Sequence, residues 1–310
     1  MTVEIAVIGA QRPSVLEQLE QSFVCHKVWD APDKAAALRP VAERIRGAAS
    51  HGMAGITREV IDALPNLEIV ALNGVGLETT DLARCKERGI TVTITPVLYD
   101  DVADLAIVLA MAAFRRIPQG DRFVREGRWL QGRAPLARKF SGRRAGILGL
   151  GRIGMEVARR LEGFKMEIAY FDPRPCDVPY RRVESAVELA AQSDVLFLTA
   201  AGGAGVKHIV TRGILDALGP EGVFVNVARG WLVDEPALVA ALKEGRLGAA
   251  GLDVFEREPE VPQDLLGLDN VVLSPHQASS TVETMTAMGD LVVENLRSHF
   301  AGKGTLTPVP

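Results

Sequence analysis

The chain has 310 residues, 47% hydrophobic and 24% charged, which is ordinary globular composition and a length that points to two domains rather than one. Its 35 basic and 39 acidic residues give a formal net charge of −4, with no lysine or arginine block to follow a phosphate backbone, so nucleic acid is not expected as a partner. The longest strongly apolar run, Leu105 to Phe114, is ten residues, too short for a hydrocarbon core of about 30 Å, and membrane insertion is not expected either.

In chain order, VEIAVI (3–8), RIRGAA (44–49), LEIVAL (67–72) and ITVTI (90–94) read as strands. AGILGL (145–150), EIAYF (167–171), DVLFLT (194–199), GVFVNVA (222–228), AAGLDVF (249–255) and NVVLSP (270–275) follow in the second part. Between them lie segments with helical spacing, such as VLEQLEQSF, LAIVLAMAAF, MEVARRLEGF, LVAALKEG and LVVENLRSHF. Such βαβ repetition predicts an α/β protein whose parallel sheets are covered by helices on both faces.

Near the N-terminus, Glu4 stands where a secretory leader would carry positive charge, and Pro13 follows soon after, which predicts a cytoplasmic protein. Cys25, Cys85 and Cys176 are odd in number and far apart, so neither a disulfide framework nor a paired-cysteine zinc site is expected. His26, His51, His208, His276 and His299 are equally scattered, and no protein-held metal is expected.

Two joints divide the chain. One lies near Thr95-Pro96, before a long helix starting near Asp100; the other lies near Pro275-His276, after which a single helix at about 281–300 and a tail remain. If that helix packs back on the N-terminal unit, residues 1–98 and 277–310 form a discontinuous domain into which residues 99–276 are inserted. Two crossings between domains would then make a hinged cleft.

Gly149-Leu150-Gly151-Arg152-Ile153-Gly154 follows a strand-like run and opens a helical one. Gly149 suits a tight turn, Gly151 lets backbone approach a pyrophosphate, Gly154 lets helix pack on strand, and the helix N-terminus offers N–H donors. Asp172 lies about 20 residues further on, at the end of the next strand, where an acidic residue binds ribose hydroxyls. A glycine-rich turn without a ligand is the plainer alternative. The carboxylate of Asp172 favours NAD(H), whereas Arg174 leaves NADP(H) possible, since a guanidinium can hold a 2′-phosphate. The N-terminal VEIAVIGAQRP imitates this pattern with one glycine and reads as a doubly wound unit without a dinucleotide site.

Ligands of doubly wound folds sit beyond the carboxyl ends of the strands. Arg229, Glu258 and His276 each stand at or just past such an end in the second part of the chain. Arginine grips carboxylates with two parallel hydrogen bonds, and histidine exchanges protons near neutral pH. A carboxylate beside the imidazole would fix its tautomer and favour its charged form, as a general acid requires. Taken singly, each is equally well a loop or turn residue.

The segments GILGLGRIG, VNVARGWLVDEPALVAALKEGRLGAAGLDVFEREP and LLGLDNVVLSPH resemble the signatures of the D-isomer-specific 2-hydroxyacid dehydrogenases. NGVGLETTDL, DDVADLAIVLAMAAFRRI and TVETMTAMGDLVVENL resemble the glyoxylate/hydroxypyruvate and hydroxyphenylpyruvate reductase branch. The resemblance covers about Leu67 to Arg297. It implies a Rossmann-type NAD(P)-binding domain (99–276) inserted in a flavodoxin-like substrate domain (1–98 and 277–310), and reduction of a small 2-keto acid to its D-2-hydroxy acid. It also implies that Arg229, Glu258 and His276 are catalytic. Gly149, Gly151, Arg152, Ile153, Gly154, Asp172, Val227 and Asp253 would bind the cofactor, Asp253 at the nicotinamide amide. Asn73 with backbone at Val75 and Gly76, together with Arg229 and His276, would bind the substrate. A homodimer with the helix 101–117 in its interface is implied as well.

Some positions depart from the family's pattern. AAGGAGVKH (200–208) replaces its usual Pro-Leu-Thr segment, Trp231 stands where proline is common, and Gln277 replaces a small apolar residue. Trp129, His51 and Met53 are candidates for lining the substrate pocket. Among competing classes, the short-chain dehydrogenases require Tyr-x-x-x-Lys, and Tyr99, Tyr170 and Tyr180 are followed at that spacing by Ala103, Arg174 and Glu184. Zinc alcohol dehydrogenases fail on cysteine number. A non-enzymatic NAD-sensing corepressor of the same fold is the alternative; such proteins carry extra terminal segments, and a chain that begins and ends close to its elements argues for the enzyme.

Overall fold

The computed structural model describes residues 2–202 and 206–309. Residues 203–205, the middle of the AAGGAGVKH departure, lie outside the described residues. Backbone contacts divide the chain into two compact units, one running from the N-terminus to Leu98 and resuming at Ser280, the other spanning Tyr99–Ser279.

The first unit holds a five-stranded parallel sheet of β1 (Glu4–Val7), β2 (Val24–Lys27), β3 (Ile45–His51), β4 (Ile69–Asn73) and β5 (Thr91–Thr93) in the order β2-β1-β3-β4-β5. This is the flavodoxin-like arrangement. On one face lies the helix Val282–Phe300, packed on β4 and on the helix Pro13–Ser22. Its Gly289 is required there, because an added Cβ would come within 2.2 Å of Val15. Gln18 donates to Asp290 at 2.8 Å and Arg297 to Ser22 at 2.9 Å along the same seam.

The second unit holds seven parallel strands, β6 (Arg144–Leu148), β7 (Glu167–Phe171), β8 (Arg181–Arg182), β9 (Val195–Leu198), β10 (Val223–Asn226), β11 (Ala249–Leu252) and β12 (Val271–Leu273). Their order, β12-β11-β10-β9-β6-β7-β8, reverses direction between β6 and β9. That reversal is the switch point of a Rossmann sheet. β9 and β10 are buried at every position, as expected of central parallel strands with helices on both faces. The helix Arg152–Gly163 buries Gly154, Val157, Ala158 and Leu161, one stripe at i, i+3, i+4 and i+7. The helix Tyr99–Arg115 buries seven residues within its own unit, against β10, β11 and the helix Arg152–Gly163. Its several apolar faces are thus largely used inside the unit, and Val108 is its exposed large apolar residue, at 55%.

The second crossing falls after Ser279, beyond the expected 276/277. The cause is local: the backbone N–H groups of His276, Gln277 and Ala278 all donate to Asp253, so these residues stay with the second unit.

Candidate active site

The glycine loop joins β6 to the helix Arg152–Gly163. Gly149 has φ +94°, and an added Cβ would lie 2.4 Å from Ala200 Cα; Gly154 would carry its Cβ 2.5 Å from the Gly149 carbonyl oxygen. Both are therefore required by the fold itself. Gly151 differs: its φ is −79°, and a Cβ there would meet nothing within 4 Å. The open space lies at a helix end that has no side-chain cap and no acidic residue in its first turn. Arg152 adds a cation to this positive end of the macrodipole, an unfavourable placement in the absence of an anion. Among the described residues Arg152 has no ion pair. These features fit a diphosphate, and Ile153 belongs to the same first turn.

Asp172 follows β7. Its carboxylate accepts from Leu150 N–H in the glycine loop at 3.1 Å and from Arg174 N–H at 3.0 Å. Two of about four lone-pair sites remain for ribose hydroxyls. The side chain of Arg174 is exposed beside it. Val227, just past β10, is buried, in a turn that Asn226 closes. Asn226 Oδ1 accepts from Ala228 N–H and its Nδ2 donates to the Arg229 carbonyl, both at 3.0 Å.

This turn delivers Arg229, whose Nη1 donates to the Ala228 carbonyl at 2.8 Å. The next residue must be glycine, since a Cβ on Gly230 would sit 1.9 Å from the Phe255 carbonyl carbon. The Arg229 turn and the loop after β11 therefore touch backbone to backbone. From that loop, Glu258 accepts the Phe255 N–H on Oε1 at 3.0 Å and faces the imidazole with Oε2, 2.5 Å from His276 Nδ1. Beside a carboxylate, Nδ1 is the donor, and Nε2 is the atom left to exchange a proton. His276 has φ +47°, a strained conformation for a non-glycine residue. The loop imposes it: Asp253 takes His276 N–H on its carbonyl at 2.8 Å, and its carboxylate takes Ser274 Oγ, Gln277 N–H and Ala278 N–H.

The electrostatics follow from this geometry. The hydrogen bond from Glu258 lifts the His276 pKa above 6.5, against the opposing pull of burial, and the Glu258 and Asp253 charges add to the lift while Arg229 subtracts from it. For Glu258 burial pushes upward, but the His276 and Phe255 hydrogen bonds and the nearby Arg229 charge outweigh it and bring its pKa below 4.5. The second unit thus brings Arg229, Glu258 and His276 together.

In the first unit, Asn73 ends β4 and its side-chain oxygen is buried without a partner. Gly74, at φ +115°, exchanges hydrogen bonds with Thr95, its N–H donating to Oγ1 at 2.7 Å and its carbonyl accepting from Thr95 N–H at 2.9 Å. The loop's next donors are those of Val75 and Gly76. His51 is half-buried, with its pKa lowered by burial first and by Lys34 second, while Met53 is 66% exposed.

Asp253 is fully buried, and its carboxylate accepts from Ser274 Oγ and from the Gln277 and Ala278 N–H groups, so it shapes the His276 loop. Trp231 packs against the core cluster of the second unit. Trp129 is 67% exposed. Sequence reasoning missed Gly230 and Asn226; an Arg-Gly pair immediately after a strand was the available signal for the first.

Comparison with known proteins agrees with this geometry. The sequence profile of the D-isomer specific 2-hydroxyacid dehydrogenase NAD binding domain matches residues 107–278. The chain belongs to this family and is an oxidoreductase. It is 52% identical over 295 residues to the hydroxyphenylpyruvate reductase of Plectranthus scutellarioides, covering 94% of each chain. A 2-hydroxyacid dehydrogenase from Ketogulonicigenium vulgare Y25 superposes with a TM-score of 0.95 at 48% identity, over 100% of this chain and 99% of that one. The NADPH-dependent glyoxylate/hydroxypyruvate reductase of Sinorhizobium meliloti, solved with NADP and malonate, gives 0.93 at 43% identity, over 100% and 97%.

Proposed function

We propose that the chain reduces a small 2-keto acid of the glyoxylate/hydroxypyruvate type to the D-2-hydroxy acid, with NAD(H) as preferred cofactor. The observation that carries this reading is the ion pair between Glu258 and His276, with Arg229 close enough to influence both pKa values. When bound, the nicotinamide supplies the hydride. His276, charged and oriented through Nδ1, donates its Nε2 proton to the carbonyl oxygen as negative charge develops there. Glu258 holds the imidazole upright and keeps it charged, and Arg229 stabilises the oxyanion and grips the carboxylate. Backbone at Val75 and Gly76, with Asn73, binds the carboxylate. Gly149, Gly151, Arg152, Ile153 and Gly154 receive the diphosphate, and Asp172 the ribose hydroxyls. Val227 shapes the wall beside them. Asp253 lies at the nicotinamide amide and also positions the His276 loop.

The preference for NAD(H) rests on the Asp172 carboxylate, which repels a 2′-phosphate, although the relative from Sinorhizobium meliloti is NADPH-dependent. A homodimer is supported by the apolar residues exposed along one segment of the second unit, Ile117, Val124, Leu130 and Leu136 among them. Three free cysteines are in keeping with a reducing, cytoplasmic location. Among the described residues no helix is long and apolar enough to cross a membrane.

Steady-state kinetics on glyoxylate, hydroxypyruvate, phenylpyruvate and 2-ketogluconate, each with NADH and NADPH, test the reading. Highest kcat/KM with one of the first two acids and with NADH is expected; a clear preference for NADPH would overturn the role given to Asp172.

A further inference from the structure

Arg152 is ordered by a single neighbour. Its guanidinium carbon lies 5.4 Å from the Tyr99 ring centroid, and Nη1 donates to the Tyr99 hydroxyl at 2.7 Å. The two helices that carry these residues are locked to each other further along. Arg160, on the helix Arg152–Gly163, binds Asp104 at 2.5 Å, the Asp100 carboxylate at 2.9 Å and the Asp100 carbonyl at 3.3 Å, all on the first turns of the helix Tyr99–Arg115. The phenol is therefore held against the start of the glycine-loop helix.

The phenolic oxygen accepts from Arg152, so its own proton remains to be donated. Among the described residues no acceptor takes that proton. Next to it the Arg152 guanidinium keeps further N–H donors, with no carboxylate to neutralise it. The pair thus presents adjacent donors beside the open space at Gly151. An isolated arginine on a helix surface would lose rotamer freedom on gripping a phosphate; stacked and hydrogen-bonded in advance, it loses less.

We infer that Tyr99 is a cofactor-binding residue. Its hydroxyl donates to the diphosphate of the dinucleotide, and its ring holds Arg152 in place for the same group. The inference rests on the proposed dinucleotide site and adds a residue to it that the glycine fingerprint does not contain.

The test is equilibrium binding of NADH, ADP-ribose and adenosine to the wild type and to Tyr99→Phe, which keeps the ring and loses the hydroxyl. Weakening of NADH and ADP-ribose by about tenfold is expected, the loss typical of a hydrogen bond to a charged group. Adenosine, which lacks the diphosphate, should bind unchanged. In an Arg152→Ala background the Tyr99→Phe loss should shrink, because the two residues act as a pair. Unchanged ADP-ribose affinity in Tyr99→Phe would overturn the role of Tyr99, as would an equal loss for adenosine. Failure of the wild type to bind NADH or ADP-ribose would instead overturn the dinucleotide site itself.

Discussion

At the scale of single residues, the reaction turns on one proton and one developing negative charge. The proposed mechanism needs His276 protonated for reduction, and its pKa is raised, so kcat/KM for reduction should hold above pH 6.5 and fall as pH rises through the raised value. Glu258→Gln removes the charge that sustains the lift and leaves the downward pull of burial, so the falling limb should move to lower pH. A pH–rate profile of the two proteins checks this; coincident limbs would sever Glu258 from the protonation of His276. Arg229→Ala should lower kcat/KM by about 10²–10³-fold, the cost seen when one oxyanion donor is removed, and a loss below about tenfold would remove Arg229 from that role.

The grouping of Arg229, Glu258 and His276 was legible in the sequence, because each stands at or just past a strand end. That Asp253 collects the N–H groups of the His276 loop was not, since spacing does not show which backbone donors a carboxylate meets. For Gly230 the Arg-Gly pair after a strand was a signal, but not the reason for it: the carbonyl it must clear belongs to Phe255, on another strand's exit.

At the scale of elements, three glycines in one fingerprint do separable work. Gly154→Ala would drive a Cβ to 2.5 Å from the Gly149 carbonyl, and forced close contact of this kind should cost about 1–3 kcal/mol, read as a lower Tm. Gly151→Ala meets open space at an ordinary φ, so Tm should be unchanged while NADH binds more weakly. Thermal unfolding and NADH titration of both variants check the division; a Tm loss in Gly151→Ala equal to that of Gly154→Ala would contradict it. All ten strands expected from apolar runs are present, though β10 and β11 stop earlier than their runs, at Asn226 and Leu252. Two strands were missed for physical reasons. β2, VCHK, is an edge strand without a fully buried position, and β8 is two arginines at the opposite kind of edge. Neither carries the apolar periodicity that marks a buried strand.

For the whole molecule, composition and length set only broad limits, and the division of the chain came from its joints. Thr95-Pro96 marks a crossing because the strand pattern stops there; the second crossing is set by the Asp253 hydrogen bonds, which no composition shift announces. The proposed homodimer would cover the exposed apolar residues of the segment 117–136. Light scattering should give twice the chain mass, and Leu130→Glu with Leu136→Glu, at positions 94% and 95% exposed, should give the single-chain mass without loss of fold. A wild-type protein of single-chain mass would contradict this.

The central claim is that His276, oriented by Glu258, protonates a 2-keto acid during reduction. The most direct measurement is the rate of NADH oxidation by hydroxypyruvate, with identification of the product, for the wild type and for His276→Ala. The account predicts D-glycerate from the wild type and a loss of about 10²–10⁴-fold in His276→Ala. Undiminished turnover in His276→Ala, or no NADH oxidation by the wild type with any 2-keto acid, would contradict it.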